Sequence, residues 1–555
     1  MVRESVMHGL NFRKLIGWLG LSLVLACPVS YGQDSTETAA PEGPEPTVEK
    51  GKLPNRLPYI DEMLEEAWKE AKLTPSANAT DAEYMRRAYL DILGRIPNVE
   101  EAYAFLSNKE PNKRAKLIEV LLANPDYPKN FASIFTNILI GRRTQVQDVD
   151  RGALNSWLRQ QFSSNRPWQE IAFDLLSAKG SSKENGAVNY LIANFADQRV
   201  NLTSSTTRVF LGQQIQCTQC HDHKYNDWKQ QDFWGINAFF RGMRQRPLER
   251  VDATGALVRD GTEVYDDPTD EWARFERPNA LIGIVPPTYL DGRRIDPGLD
   301  TDRRLELSKF ITESRNLQFS RAFVNRMWGY FMGQGIVNPV DDFGDHNAAT
   351  HPELLDQLAV DFIASGYDVK ALVRWIAASR PYQLSSTMTR SNEQDEHLFS
   401  RYLLKPMSPE QLFDSLITAT SAHKTAGEAP DKLRAQWLGQ FVVAFANDEA
   451  GESASFQGTI PQALMMMNGE LMTKAVGGQP GSFLSHVVDQ ARLQKKIQPI
   501  RYAVDQVYLA ALGRYPDPKD LKASQAFLSS NPDTLQVVQD LFWALLNSNE
   551  FVLNH

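Results

Sequence analysis

The sequence predicts a mainly α-helical protein, with two helical domains and a small β-rich insert between them. Three observations carry this. Apolar residues recur at three- and four-residue spacing through most of the chain, the period of a helix with one buried face. Turn formers and short apolar runs replace that pattern between about Arg246 and Arg294. The composition, 42% hydrophobic, 23% charged and 10% aromatic over 555 residues, is that of a folded chain too long for one core. The same arithmetic excludes a collagen, a polytopic membrane protein and a chain disordered through most of its length. Lys and Arg number 59 against 68 Asp and Glu, a net charge of −9 with no basic stripe, so nucleic acid is not an expected partner.

Taken in order, residues 1–32 read as a signal peptide. Arg3, Arg13 and Lys14 form a basic start, and Leu15 to Ala26 an apolar core of twelve residues, short for a bilayer span. Ser30-Tyr31-Gly32 offers small residues for cleavage before Gln33. The alternative processing is lipidation at Cys27 after Val24-Leu25-Ala26, where Leu25 is bulky for its position. No later segment has about eighteen uninterrupted apolar residues. The mature chain is therefore expected to be exported, periplasmic or cell-envelope associated, with no transmembrane span and at most a lipid anchor at Cys27. Residues 33–55, acidic and rich in Pro, Thr and Ala, read as a disordered linker.

The first helical domain is expected over 56–245. Within it Tyr89–Pro97 reads YLDILGRIP, echoed at Tyr508–Pro516 as YLAALGRYP, and similar helix ends follow each at 117–131 and 541–555. Two occurrences do not make a solenoid. They predict paired helical hairpins that pack together, with Leu-Gly-Arg-x-Pro as a helix C-cap and turn. The insert spans 246–300. Thr254-Gly255, Asp260-Gly261 and Asp291-Gly292 are its expected turns, Ala256-Leu257-Val258 and Leu281–Val285 its strands, and Pro286-Pro287 the end of the last one. The second helical domain, 301–555, has explicit start signals. Thr350-His351-Pro352-Glu353 predicts a capping box, with Leu354, Leu355, Leu358 and Phe362 on one face and Gly366 as the stop. Asp368 is the expected cap of the next helix, which turns Leu372, Trp375 and Ile376 inward. Ser408-Pro409-Glu410-Gln411 opens another over Leu412, Phe413, Leu416 and Ile417.

Chemistry concentrates at the cysteines. There are three, Cys27, Cys217 and Cys220, too few for a disulfide framework, and the last two fall in Cys217-Thr218-Gln219-Cys220-His221. Thiols at this spacing reach two haem vinyl groups, and the adjoining imidazole reaches the iron. Three other readings stay open: a Cys217–Cys220 disulfide, a Zn²⁺ set of Cys217, Cys220, His221 and His223, or a relic whose histidines make local hydrogen bonds. The aromatic run Trp228, Phe233, Trp234, Phe239 and Phe240 could wall a porphyrin or serve as plain core. A second cluster, Asp341, Asp342, Asp345, His346 and His351, could bind a metal or supply a distal haem ligand through His351 or His346. The structural alternative pairs Asp341 or Asp342 with Arg321 or Arg326 and leaves His351 in a first helical turn. Met465-Met466-Met467 offers a thioether ligand or core filler. Dinucleotide, serine-hydrolase and zincin motifs are absent.

At these residues the chain resembles the planctomycete cytochrome c-like two-domain family known by domains of unknown function 1549 and 1553. The first half is similar through Leu90-x-x-Leu93-Gly94-Arg95-x-Pro97 and Phe210-Leu211-Gly212 leading to Cys217-x-x-Cys220-His221-Asp222-His223 and Trp228. The second is similar through Phe319-x-Arg321-x-x-Val324-Asn325-Arg326-x-Trp328, Pro339-Val340-Asp341-Asp342-Phe343, His351-Pro352-Glu353-Leu354-Leu355, Tyr382-Gln383-x-Ser385-Ser386 and Thr459-Ile460-Pro461-Gln462-Ala463-Leu464. The resemblance implies export and a redox or haem association, with no assigned reaction. Many members carry a further cytochrome c module; no second Cys-x-x-Cys-His occurs here, so a multi-haem relay is not expected.

The resulting expectation is an exported c-type haem redox protein that exchanges electrons with a redox partner in the cell envelope, or oxidises a substrate itself. Cys217 and Cys220 attach haem c, His221 is the proximal ligand and His351 the distal one. The alternative is a non-haem cell-envelope protein linked to extracellular polysaccharide breakdown. Its Cys217–Cys220 pair forms a disulfide, or a divalent metal is held among His223, Asp341 and Asp342.

Overall fold

The computed structural model describes residues 54–142, 146, 148–267, 271–278, 280–295, 301–422, 437–440, 469–493, 499–528 and 533–555. The leader with Cys27, most of the linker, the Thr459–Leu464 segment and Met465–Met467 lie outside these residues. The protein is mainly α, as the periodicity predicts, with small sheets of two or three strands. Among the described residues no helix is long and apolar enough to cross a membrane.

The start signals act largely as read. Asp368 accepts from the Ala371 amide, and Ser408 forms a reciprocal capping box with Gln411. The helix Pro352–Ala364 begins differently: His351 is its N-cap, without a side-chain cap bond, so the expected Thr350 box is corrected. The Thr350 hydroxyl is spent elsewhere, donating to the Ile336 carbonyl at 3.2 Å.

Packing joins the two halves. One buried cluster draws on residues from Leu57 to Leu509, across both expected helical domains. At its centre Trp168 stacks on Phe323 (centroids 4.5 Å apart), and Phe323 stacks on Phe362 at 5.2 Å. The insert is likewise stitched to the first half, because β1 (Gly180–Ser181) pairs with β3 (Leu257–Asp266), which pairs with β2 (Met243–Val251). Asp260-Gly261 is not a turn but an irregularity inside β3: the register shifts opposite Pro247/Glu249, and Gly261 adopts φ +103°. A glycine at positive φ suits a bulge as well as a turn, which is why the dipeptide misleads. The second hairpin, β4 (Ala273–Glu276) with β5 (Ile282–Val285), ends before Pro286 as expected.

The internal echo is structural. Gly94 and Gly513 both leave their helices in the left-handed region, at φ +74° and +68°. Arg95 pairs with Glu101 and Asp126 and lies over Tyr89; Arg514 pairs with Asp520 and Glu550 and lies over Tyr508. The modules meet directly: Arg86 donates to the Ala511 carbonyl at 3.0 Å, and Leu90 and Ile96 share a core with Tyr508 and Leu512.

The echo differs in polarity at one buried position, where Asp91 stands in the first copy and Ala510 in the second. The Asp91 carboxylate, 1% exposed, receives Lys405 Nζ at 2.9 Å, Asn554 Nδ2 at 2.8 Å, and the hydroxyls of Tyr382 at 2.8 Å and Tyr402 at 3.3 Å. Lys405 also donates to the Tyr330 and Phe331 carbonyls, at 2.7 and 2.9 Å. Burial, then the charge of Asp91, holds both tyrosine hydroxyls well above their ordinary range. Next to this node Asn130 donates to the Asp91 and Ile92 carbonyls, each at 3.2 Å, and fills the space a Gly94 side chain would need.

Two outcomes follow. Asp91→Ala or Lys405→Met, each leaving the opposite charge buried, should cost about 3–5 kcal/mol in urea unfolding, while Asp91→Leu with Lys405→Met should cost much less than the two combined. Gly94→Ala should destabilise by about 1 kcal/mol or more beyond Gly513→Ala. Its Cβ would come within 2.5 Å of Asn130 Oδ1, whereas the nearest atom at Gly513 is 3.4 Å away.

Candidate functional site

The helix Val200–Leu211 ends at Gly212, φ +65°, and this residue decides what lies beside the cysteines. A side chain here would run into Phe343, 2.7 Å from an ideal Cβ. With glycine present, the Phe343 amide donates to the Gly212 carbonyl at 2.8 Å. Asp341, one residue away from the contact's neighbour Asp342, is buried and receives Arg208 at 3.2 Å and Gln214 at 3.0 Å. The Asp341–His346 loop is thus bolted onto the segment that runs into the cysteine motif.

This corrects the expected ion pairs. Asp341 meets Arg208, Asp342 meets His346, and Arg321 meets Asp356; Arg326 donates to the Arg208 carbonyl. The chain folds back onto its own helix, Leu317–Met332, up to Val340, whose carbonyl accepts from Asn325, and the loop then crosses to the helix Val200–Leu211.

After Gly212 the chain turns through a short 3₁₀ segment, Gln216–Gln219, anchored by buried Thr218, whose hydroxyl donates to the Ile215 carbonyl at 2.6 Å. Cys217 and Cys220 are exposed free thiols. The helix Gln230–Phe239 holds the turn from below. Gln230 Nε2 reaches the carbonyls of Gln219, Cys220 and Glu276 at 3.1, 3.2 and 2.7 Å, and Trp234 Nε1 donates to Gln219 at 3.1 Å. The Gln230 amide donates to Asp222 Oδ1 at 2.9 Å.

The histidines divide by their hydrogen bonds. His221 is exposed, with Nδ1 2.7 Å from the Asp222 carbonyl; that contact requires the proton on Nδ1 and leaves Nε2 its lone pair. His223 is the reverse: Nδ1 accepts from the Tyr225 and Asn226 amides at 3.1 and 3.0 Å, so its neutral ring carries the proton on Nε2. Burial, then His346, lowers its pKa from the ordinary value. In this tautomer His223 has no spare lone pair for a metal. His346 lies beside it, ring centroids 5.7 Å apart, with Nε2 3.1 Å from Asp342 Oδ2. Partial burial and the Asp342 charge push the Cys217 thiol up. His351 is built into the fold elsewhere: it is 8% exposed, 3.0 Å from Thr350 Oγ1 through Nδ1, and packed on Phe399 at 5.8 Å. Burial lowers its pKa too.

Of the candidates, then, Cys217, Cys220, His221, His223 and Asp342 share one surface, Asp341 fastens its loop, and His346 is the imidazole beside the motif. Among the described residues no group of three or more His, Cys, Asp or Glu is disposed to hold a metal ion. Gln230 and Gln214 carried no motif signal, and Trp234 was read only as part of the aromatic run; Gly212 stood in the resemblance alone. The aromatic run is core: Trp234 stacks on Phe275 at 5.8 Å, Phe233 meets Trp234 edge-on, and both pack with Ile215, Val200, Ala273 and Val285. The donor set of two thiols and a lone-pair nitrogen fits a thioether-linked haem, but these rings enclose one another and not a cofactor.

Two family models match the chain, both described as proteins of unknown function: DUF1549 over residues 59–245 and DUF1553 over 303–437. No curated protein and no solved structure matches it. The site draws on both matched segments, the cysteine motif from the first and the Asp341–His346 loop from the second.

Two imidazoles, buried His351 and half-buried His223, set a pH dependence. The unfolded chain takes up protons as pH falls through about 6.5, while folded His351 and His223 resist protonation. Stability should therefore drop below about pH 6.5 and level off once the folded rings protonate. His351→Gln should flatten this limb by at most about 1.4 kcal/mol per pH unit, read from unfolding curves across pH 4–8.

Proposed function

The chain belongs to the family that joins domain of unknown function 1549 to domain 1553, and we propose that its working centre is an exported, surface redox site on the Cys217–His221 turn. In this reading haem c is held by thioethers to Cys217 and Cys220, with His221 as an iron ligand. The observation that carries it is the state of these three residues together. Two free, exposed thiols stand three positions apart, and the neighbouring imidazole has Nδ1 tied to a carbonyl, the arrangement that orients a metal-ligating histidine. The bound haem would supply one-electron exchange. The chain's own residues do the positioning. Gln230 and Trp234 fix the backbone between the cysteines, and the Asp222 carbonyl fixes the His221 tautomer. Exposure of the motif suits electron exchange with a partner protein at the cell envelope.

The packed aromatic layer favours one other reading, a dithiol–disulfide centre without haem. The raised Cys217 thiol counts against a highly reactive thiolate, since nucleophilic cysteines are held below the ordinary value.

Expression with haem-maturation machinery, followed by pyridine haemochrome spectra and intact mass, separates these. One added haem per chain is expected, lost in Cys217→Ser/Cys220→Ser and spectrally altered but still attached in His221→Ala. A chain at its bare mass with no Soret band would refute haem attachment; a deficit of two hydrogens restored by reductant would establish the disulfide instead.

A further inference from the structure

Where the helix Gln230–Phe239 gives way to β2, four arginines converge. Three have evident employment at the carbonyls of the helix end and the turn after it. Arg303 Nη1 donates to Ala238 at 3.3 Å, Arg244 Nη1 to Arg241 at 2.6 Å, and Arg199 Nη2 to Met243 at 2.7 Å. A helix C-terminus draws cations in this way. Arg241 does not share the arrangement. Its side chain lies over Trp234, its residue is 7% exposed, and its Nε and Nη2 are buried without a hydrogen-bond partner among the described residues.

Those two atoms form one edge of the guanidinium, the fork that takes two oxygens of one anion at once. At four other arginines that edge is filled by a carboxylate: Asp266 on Arg304, Asp356 on Arg321, Glu119 on Arg374 and Glu550 on Arg514. At Arg241 no carboxylate of the described residues hydrogen-bonds to this edge, though the charge of Glu271 acts on it. The Arg241 charge stands near that of Arg199, which also feels Arg244; Glu271 acts on both Arg199 and Arg241, and Asp267 lies 3.5 Å from Arg244, so among the described residues four cations face two carboxylates in a poorly solvated place. Gln198, exposed, and Arg199, half-buried, form the outer margin, and both hold positive φ, at +52° and +65°. The helix Val200–Leu211 starts at this margin, with Arg199 as its N-cap and no side-chain cap bond.

We infer that Arg241 anchors a binding site for a small oxyanion, a carboxylate or phosphate-type group whose two oxygens fill the Nε/Nη2 edge, with Arg199 adding charge. The site is independent of any group on the cysteines. A ligand that fills the open edge of a buried guanidinium stabilises the folded state by mass action.

The test uses the full mature chain without haem, at constant ionic strength set with chloride. Inorganic phosphate and acetate are titrated in parallel, with thermal midpoint and calorimetric heat as readouts. At least one should give a saturable rise of about 2–4 °C and one site per chain. Arg241→Gln should abolish both signals while keeping the circular dichroism of the parent. Arg241→Lys keeps the charge but loses the fork, so it should weaken binding by about tenfold or more; it decides the matter if Arg241→Gln does not fold. Absence of a saturable response to either anion, or an unchanged response in the variants, overturns the site.

Discussion

A carboxylate without water must be surrounded by donors, and meeting that requirement for Asp91 fixes the path of much of this chain. Its partners come from far apart in sequence: Lys405 and the two tyrosines from the segment after the helix Val369–Ala378, and Asn554 from the end of the chain. Each brings its own backbone into register. Lys405 spends its remaining protons on the last turn of the helix Leu317–Met332, and β6 (Lys405–Pro406) pairs with β7 (Leu553–Asn554) beside the same group. Arg87, stacked over Tyr402 at 3.5 Å, ties the adjacent carbonyls of Tyr382 and Leu384. One buried ion pair thus closes a topology that hydrophobic burial, being non-directional, would leave less specified.

The candidate site depends on the same principle of distant segments brought together by a local allowance. Gly212 allows Phe343 to approach, and the Asp341–His346 loop follows, so the two matched family segments contribute to one surface. The cysteine turn itself is stiff below and open above. Beneath it the aromatic layer and Gln230 satisfy the backbone carbonyls; above it the thiols and His221 meet solvent. That separation explains how a short, exposed turn keeps a defined geometry.

Several features were legible residue by residue. The helix starts at Asp368 and Ser408 act through their own side chains on amides three positions on, so spacing suffices to find them. The Leu-Gly-Arg-x-Pro echo was readable because a left-handed glycine and its following arginine repeat a local solution. Other features were not legible. Thr350 has a capping sequence, yet its hydroxyl meets the Ile336 carbonyl, a competitor that no spacing records. Asp260-Gly261 has turn chemistry but sits in a paired strand, since the same backbone freedom serves a bulge. Asp341 and Asp342 stand close in sequence to Arg321 and Arg326, yet Asp341 pairs with Arg208 of another helix and Asp342 with His346 of its own loop.

By itself the sequence determined the mainly helical class, the place of the β-rich insert, the family resemblance and the Cys217–His221 motif, because each rests on local periodicity, turn chemistry or spacing. Tertiary structure alone decided that the aromatic run is core, that His346 and not His351 stands beside the motif, and that Asp91 is the buried centre. Those outcomes depend on which groups compete for one volume and one hydrogen bond, a question answered by the packed chain and not by the order of its residues.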